Sequence, residues 1–339
     1  MGRKNTKYKK DLHQQAYDAL NAMQAFGESK KEAIANGTSK DKIYSFSTYQ
    51  TYYKHIKYFL AWVKVTHPEC ATLKAAKKYV NEWLQSRVDK HLSAWTIATE
   101  TAALCKLYQI PQDDPDRFTP PRRERVDIKR SRKNTVRDKH FSKKNNAELI
   151  AFCRSTGCRR NVLEKLEGRD LWTRRDMEKR ISALEKKENL TESEKRDLNN
   201  MKDALIVFPD EDAFLHHRKD KNGKYRFAPI VGPDKDLVVE KMKNTERNAK
   251  VWESVSGNAD VHGYRADYAI EVYRKYARPI EQIPFNKINR GTGRRYQGDI
   301  YACRKDKHAK YDKAAMLKCS KALGHNRLSV IAENYLYNL

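Results

Sequence analysis

The chain is poor in the features that would mark a secreted, membrane-spanning or metal-stapled protein. Its six cysteines, at positions 70, 105, 153, 158, 303 and 319, form no Cys-x-x-Cys pair and have no histidine partners at zinc spacing. A disulfide framework and a zinc ribbon are thereby excluded, and reduced, mostly buried thiols are expected. No run of eighteen apolar residues exists, and the charged N-terminus leads into no hydrophobic signal core. Neither a membrane span nor export is expected, so the chain reads as intracellular with no membrane partner. Acidic side chains are also scarce, 44 against 70 Lys and Arg, for a net charge of +26 spread along the sequence. Such an excess favours a polyanionic partner, nucleic acid ahead of a membrane surface. At 339 residues the chain is most simply two domains, each able to bury a core.

Residues 1–40 are polar and lysine-rich, with one weak helical stretch near Leu12 to Met23, and read as a basic arm. From Ser45 the pattern sharpens. Tyr49, Tyr52, Ile56, Phe59, Leu60 and Val63 recur at helical spacing, with Lys54 and Lys57 on the other side. A second helix is expected over Leu73 to Val88. A third should begin after Ser93, a suitable N-cap, with Ile97, Leu104 and Leu107 apolar. Residues 41–112 thus form a small helical bundle, whose lysines are either a solvated face or one turned to DNA.

Pro111, Pro115, Pro120 and Pro121 then break any helix, and Arg122 to Lys144 carries eleven Lys or Arg against three acids. Residues 113–144 read as a linker. Arg122, Arg123, Lys129, Arg130, Arg132 and Lys133 in it are candidate phosphate contacts alongside Lys54 and Lys57, because each phosphate neutralised releases counterions.

The second domain, 145–339, opens with a helix from Asn146 and then Thr156-Gly157-Cys158-Arg159, an arginine at a turn where its planar fork can meet a phosphate oxygen. Residues 172–203 read as an inserted helical hairpin, with Met177, Ile181 and Leu184, a capping box at Thr191 and Glu194, then Leu198, Met201 and Leu205. Asn222-Gly223 between two alternating segments predicts a β-hairpin with Lys221 at its mouth. His262 and Arg265 lie one helical turn apart. A second insertion, 276–312, holds the basic Asn289-Arg290-Gly291-Thr292-Gly293-Arg294-Arg295, a DNA-contacting loop or a merely flexible one. Gly324-His325 and Tyr335 close the series, with a short apolar segment between them that could bring imidazole and phenol to one site.

Thr-Gly-x-Arg159, Lys221 in a hairpin, His262-x-x-Arg265, Gly-His325 and Tyr335, in that order behind a helical bundle and a basic linker, resemble the tyrosine recombinases, or phage-type integrases. The resemblance runs from about Ser45 to Tyr335. It implies a mainly α fold with a small antiparallel β-sheet, a SAM-like core-binding domain and a tyrosine-recombinase catalytic domain. It also implies strand cleavage and rejoining through a 3′-phosphotyrosine at specific duplex sites, for a bacterial mobile element or phage. Tyr335 would be the nucleophile, Arg159 and Arg265 the phosphate clamp, His325 a further donor, Lys221 the acid for the leaving oxygen, and His262 a helper at the tyrosine. No cofactor or metal is implied, since the arginines would do the work of divalent ions. Self-association as a tetramer on DNA, an accessory directionality factor and a cytoplasmic, nucleoid-associated location are implied as well.

The sequence departs from the family pattern at Val162, where an acidic residue usually stands three positions after the first arginine. That buttress is absent or comes from elsewhere, with Glu164 a candidate. Lys219 and Lys224 are alternatives to Lys221. Tyr337 is the near rival to Tyr335, but two residues on a helix differ by about 200°, so both could not face one phosphate. A type IB topoisomerase-like enzyme and a catalytically inactive DNA-binding or architectural protein remain as alternative readings.

Overall fold

The computed structural model describes residues 11–123, 141–220, 224–303, 309–325, 327–336 and 339. The chain forms two compact units, residues 1–130 and 131–339. Both are built mainly from helices, with small antiparallel sheets in the second.

The first unit holds α1 (Leu12–Asn21), α2 (Lys30–Ala35), α3 (Phe46–Thr66), α4 (Leu73–Ala76), α5 (Val80–Asp89) and α6 (Ala94–Leu107). Ser45 caps α3 by accepting the Thr48 N–H at 3.1 Å, and Ser93 caps α6 by accepting from Thr96 at 3.3 Å. The i, i+4 stripe of α3 buries Ile56, Phe59, Leu60 and Val63 against Trp83, Leu84 and Leu104. The segment expected as an arm contributes to this core: Ala16 and Leu20 of α1 are fully buried, because their spacing gives the helix an apolar face. The helix expected over Leu73 to Val88 is divided at a 3₁₀ turn, Lys77–Tyr79, where the Tyr79 ring stacks on His67 at 3.5 Å. Lys54 and Lys57 are exposed on α3, as are Arg122 and Arg123 after the bundle. Lys129, Arg130, Arg132 and Lys133 lie outside the described residues.

The second unit begins with α7 (Ala147–Thr156) and the single turn α8 (Arg160–Leu163), followed by β1 (Leu171–Thr173), α9 (Arg174–Glu185) and α10 (Glu192–Val207). The last two are the expected hairpin. Thr173 with Asp176 and Thr191 with Glu194 close capping boxes at their starts, and Met177, Leu184, Leu198 and Met201 are buried. Strands β2 (Ala213–Asp220) and β3 (Lys224–Pro229) pair antiparallel, with β1 on the far edge of β2. Helix α11 (Lys235–Lys243) precedes α12 (Val261–Tyr276), which packs against α7 and against α13 (Lys313–Leu323). The insertion between α12 and α13 forms two short ribbons, β4 (Lys287–Ile288) with β5 (Arg295–Tyr296), and β6 (Ile300–Ala302) with β7 (Lys310–Asp312). Helix α14 (Leu328–Asn334) ends the fold. Among the described residues no helix is long and apolar enough to cross a membrane.

Candidate active site

Four of the residues singled out from the sequence come together. Gly157 ends α7 in the left-handed conformation (φ +56°), turning the chain so that Arg159 becomes the N-cap of α8. No larger residue suits this turn, since a Cβ on Gly157 would strike the ring of Tyr268. Arg265, in the second turn of α12, is 1 % exposed. Its guanidinium donates to the Gly157 carbonyl and, at 2.5 Å, to the Leu323 carbonyl at the end of α13. Both acceptors belong to helix ends whose carbonyls have no intrahelical partner, so the arginine is locked by the two helices it joins.

Gly324, also left-handed (φ +67°), stops α13 and delivers His325. The turn is held by the His325 N–H donating to the Ser320 carbonyl at 2.8 Å and by the Ser320 hydroxyl donating to the His325 carbonyl at 2.8 Å. Helix α14 then brings Tyr335 back. The Tyr335 hydroxyl lies 3.0 Å from His325 Nε2 and 3.4 Å from Arg265 Nε, a donor aimed at it. The next residue is fixed as well, its Leu336 carbonyl accepting from the Tyr311 hydroxyl of β7 at 3.2 Å. Tyr335 is the C-cap of α14 rather than part of it, so the helical-rotation argument against Tyr337 does not apply. Tyr337 lies outside the described residues.

The carboxylate that faces Arg159 is Asp220, at the end of β2. Arg159 Nη1 donates to Asp220 Oδ2 at 2.5 Å, and Arg226 Nη1 of β3 donates to the same oxygen at 2.7 Å. Glu164, the candidate named from the sequence, is exposed instead, and Val162 sits in an apolar cluster with Leu149 and Leu163. Arg226 is a member of the site that sequence reasoning missed. It donates through Nε to the Ala322 carbonyl at 2.9 Å, and its Nη2 is 3.3 Å from Nδ1 of His217, its neighbour across the ladder. Gly324 is required beside it, because a Cβ there would come within 2.7 Å of Arg226 Nη1.

Arg159 and Arg226 share the Asp220 carboxylate, and the Arg265 guanidinium lies close enough to feel the charge of both. Burial, and then the neighbouring Arg159 and Arg226 charges, lower the Arg265 pKa to about 10, with Tyr335 acting the other way. It remains a cation at neutral pH. Burial holds His217 neutral, its pKa well below the ordinary imidazole value. A cleft of about 460 Å³ between α10, β3 and α13 reaches Arg226, Gly324 and His325, giving solvent a path to the cluster. Concentrated positive charge at a reachable, partly dry site is suited to an oxyanion.

His262 is exposed on the first turn of α12; the imidazole at the phenol is that of His325. Lys221 lies outside the described residues, as do the side chains of Lys219 and Lys224. The neighbouring Arg160 has a different task, donating to the carbonyls of Val255, Ser256, Gly257 and Ala259 and so pinning the loop before α12. Among the described residues no group of three or more His, Cys, Asp or Glu side chains is arranged to hold a metal ion.

Residues 36–111 match the family model of the phage integrase N-terminal SAM-like domain, which covers the helical bundle from α3 to α6. This match to the N-terminal domain supports placing the chain with the tyrosine recombinases, or phage integrases. No curated protein matches the chain.

Proposed function

We propose that the chain is a site-specific DNA recombinase that cleaves and rejoins duplex DNA through a phosphotyrosine formed on Tyr335. The observation that carries this reading is the meeting of Tyr335, His325 and Arg265 at one point, beside a cluster of three arginines. A phenol is a weak nucleophile at neutral pH, and an imidazole within hydrogen-bond reach of its oxygen can take its proton as the bond to phosphorus forms. In the proposed reaction Tyr335 Oη attacks the phosphorus and the bond to the 5′ oxygen breaks, leaving the 3′ phosphate on the enzyme. Arg159 and Arg265 balance the charge that develops on the non-bridging oxygens. The phenol proton passes to an imidazole, with His325 placed for it and His262 assisting, and Lys221 supplies the proton for the leaving 5′ oxygen. Rejoining reverses these steps with a second strand. Exchange between strands requires further protomers, so assembly as a tetramer on DNA belongs to the same proposal, as does service to a phage or mobile element.

The test is capture of covalent protein–DNA adducts from fragmented genomic DNA under denaturing conditions with EDTA present, followed by sequencing of the attached DNA. A 3′-linked end at a recurrent sequence is the expected result. Wild-type protein that binds DNA and never becomes attached would leave a binding protein as the better reading.

A further inference from the structure

We infer that Asp220 is the positioning residue of this site: its carboxylate fixes the Arg159 guanidinium for the phosphate and ties the end of β2 to the same point. The inference rests on the recombinase reading for its substrate, but its geometry stands apart. Asp220 is 4 % exposed, and one of its oxygens accepts from both Arg159 and Arg226. Arg226 is itself anchored on the Ala322 carbonyl at 2.9 Å, so the chain of contacts runs from the end of α13 through Arg226 and Asp220 to Arg159. An arginine side chain has many rotamers, and holding it by one edge removes most of them before the ligand arrives. The contact with Asp220 engages Nη1 of Arg159, and the side chain is 17 % exposed.

Asp220 pairs with Lys224 across the hairpin, so it is the last laddered residue before the turn that carries Lys221. A contact from Asp220 to Arg159, sixty-one residues away in sequence, ties the end of β2 to the clamp. The residue three places after Arg159 is Val162, packed among apolar side chains. The anchor for Arg159 thus stands on a strand and not on the helix that Arg159 caps.

Simple electrostatics and positioning predict opposite signs, and this makes the inference testable. A carboxylate next to a clamp repels an anion, so if its charge were all that mattered, Asp220→Asn would bind an oxyanion more tightly. If it positions Arg159, the variant binds more weakly and reacts more slowly. The experiment measures orthovanadate binding by calorimetry, and the rate of covalent attachment to the DNA recovered by adduct capture, for the full chain and for Asp220→Asn, Asp220→Glu and Arg159→Ala. We expect Asp220→Asn to lower both vanadate affinity and attachment rate, the latter by about 100-fold as for an ångström-scale misplacement of a reacting group. DNA affinity should change less than about twofold, and the loss should disappear in the Arg159→Ala background. Asp220→Glu, which keeps the charge, should recover part of the rate, and it carries the test if the asparagine variant does not fold. Unchanged or tighter vanadate binding with a wild-type attachment rate would overturn the inference, as would a loss of the same size in the Arg159→Ala background. Failure of wild-type protein to attach to DNA would instead count against the recombinase reading, and vanadate binding would still decide the role of Asp220.

Discussion

His325 Nε2 lies 3.0 Å from the Tyr335 hydroxyl, although ten residues and a whole helix separate them in the chain. The contact is produced by a left-handed glycine on one side and the end of α14 on the other, so it is set by backbone turns rather than by flexible side chains. His325→Ala should lower the single-turnover attachment rate at saturating DNA by about 10²-fold or more, the range for loss of a positioned acid–base group. His325→Gln, which keeps a donor at a similar reach, should lose less. Equal rates for all three proteins would separate His325 from the chemistry.

Gly157 offers a structural test of the clamp. Its positive φ and the ring of Tyr268, which an added methyl would strike, leave no room for alanine. Gly157→Ala should destabilise the second unit by about 2 kcal/mol or more. It should also reduce attachment, because the displaced carbonyl is one of the two that hold Arg265. Chemical denaturation with the attachment assay alongside checks both, and a variant with unaltered stability would contradict the packing described.

The pH dependence of stability should have a definite sign. Burial first, and then the charges of Arg218 and Arg196, lower the His216 pKa to about 4, and burial holds His217 well below its ordinary value. Between about pH 4 and the unfolded value of about 6.5, the unfolded chain binds more protons than the folded one, so stability rises with pH. The contribution of His216 is full above about pH 6.5 and is lost as the pH falls towards 4, amounting to about 3 kcal/mol at most. Hydrogen exchange in β2 and β3 at pH 7.5, 6 and 5 measures it. His216→Phe, next to the stacked ring of Phe227 at 4.3 Å, should flatten the profile, and a profile of unchanged steepness would refute the assignment.

Lys54 and Lys57, exposed one turn apart on α3, are proposed to meet DNA phosphates. The Lys54→Ala, Lys57→Ala double variant should then reduce the slope of log affinity against log salt by up to about 2, roughly one per lysine, with little effect on sequence preference. An unchanged slope would return these lysines to an ordinary solvated face.

The helices are legible in the sequence wherever burial is one-sided. The α3 stripe from Tyr49 to Val63, the Ser93 cap and the Thr191–Glu194 capping box all act within a few residues, which a sequence displays directly. Leu20 is harder to place because a lysine-rich surrounding hides the short apolar face of α1. Arg159, Arg265, His325 and Tyr335 are readable because each carries local punctuation, a glycine before it or a fixed spacing to a partner. Asp220 and Arg226 carry none. Their roles come from strand register and from the way α13 presents its last carbonyls, and both arise only when distant segments pack. The signal available for Arg226 is its place on an inward-looking strand beside Phe227, where an arginine needs partners to be buried.

Whether Tyr335 takes up the DNA is decided most directly by mass spectrometry of the adduct. Covalent complexes are digested with nuclease and then protease, and the peptides are searched for one bearing a residual nucleotide. That mass is expected on Tyr335 in wild-type protein, with no adduct at all from Tyr335→Phe. A nucleotide on Tyr337, or an adduct that persists in the phenylalanine variant, would contradict it.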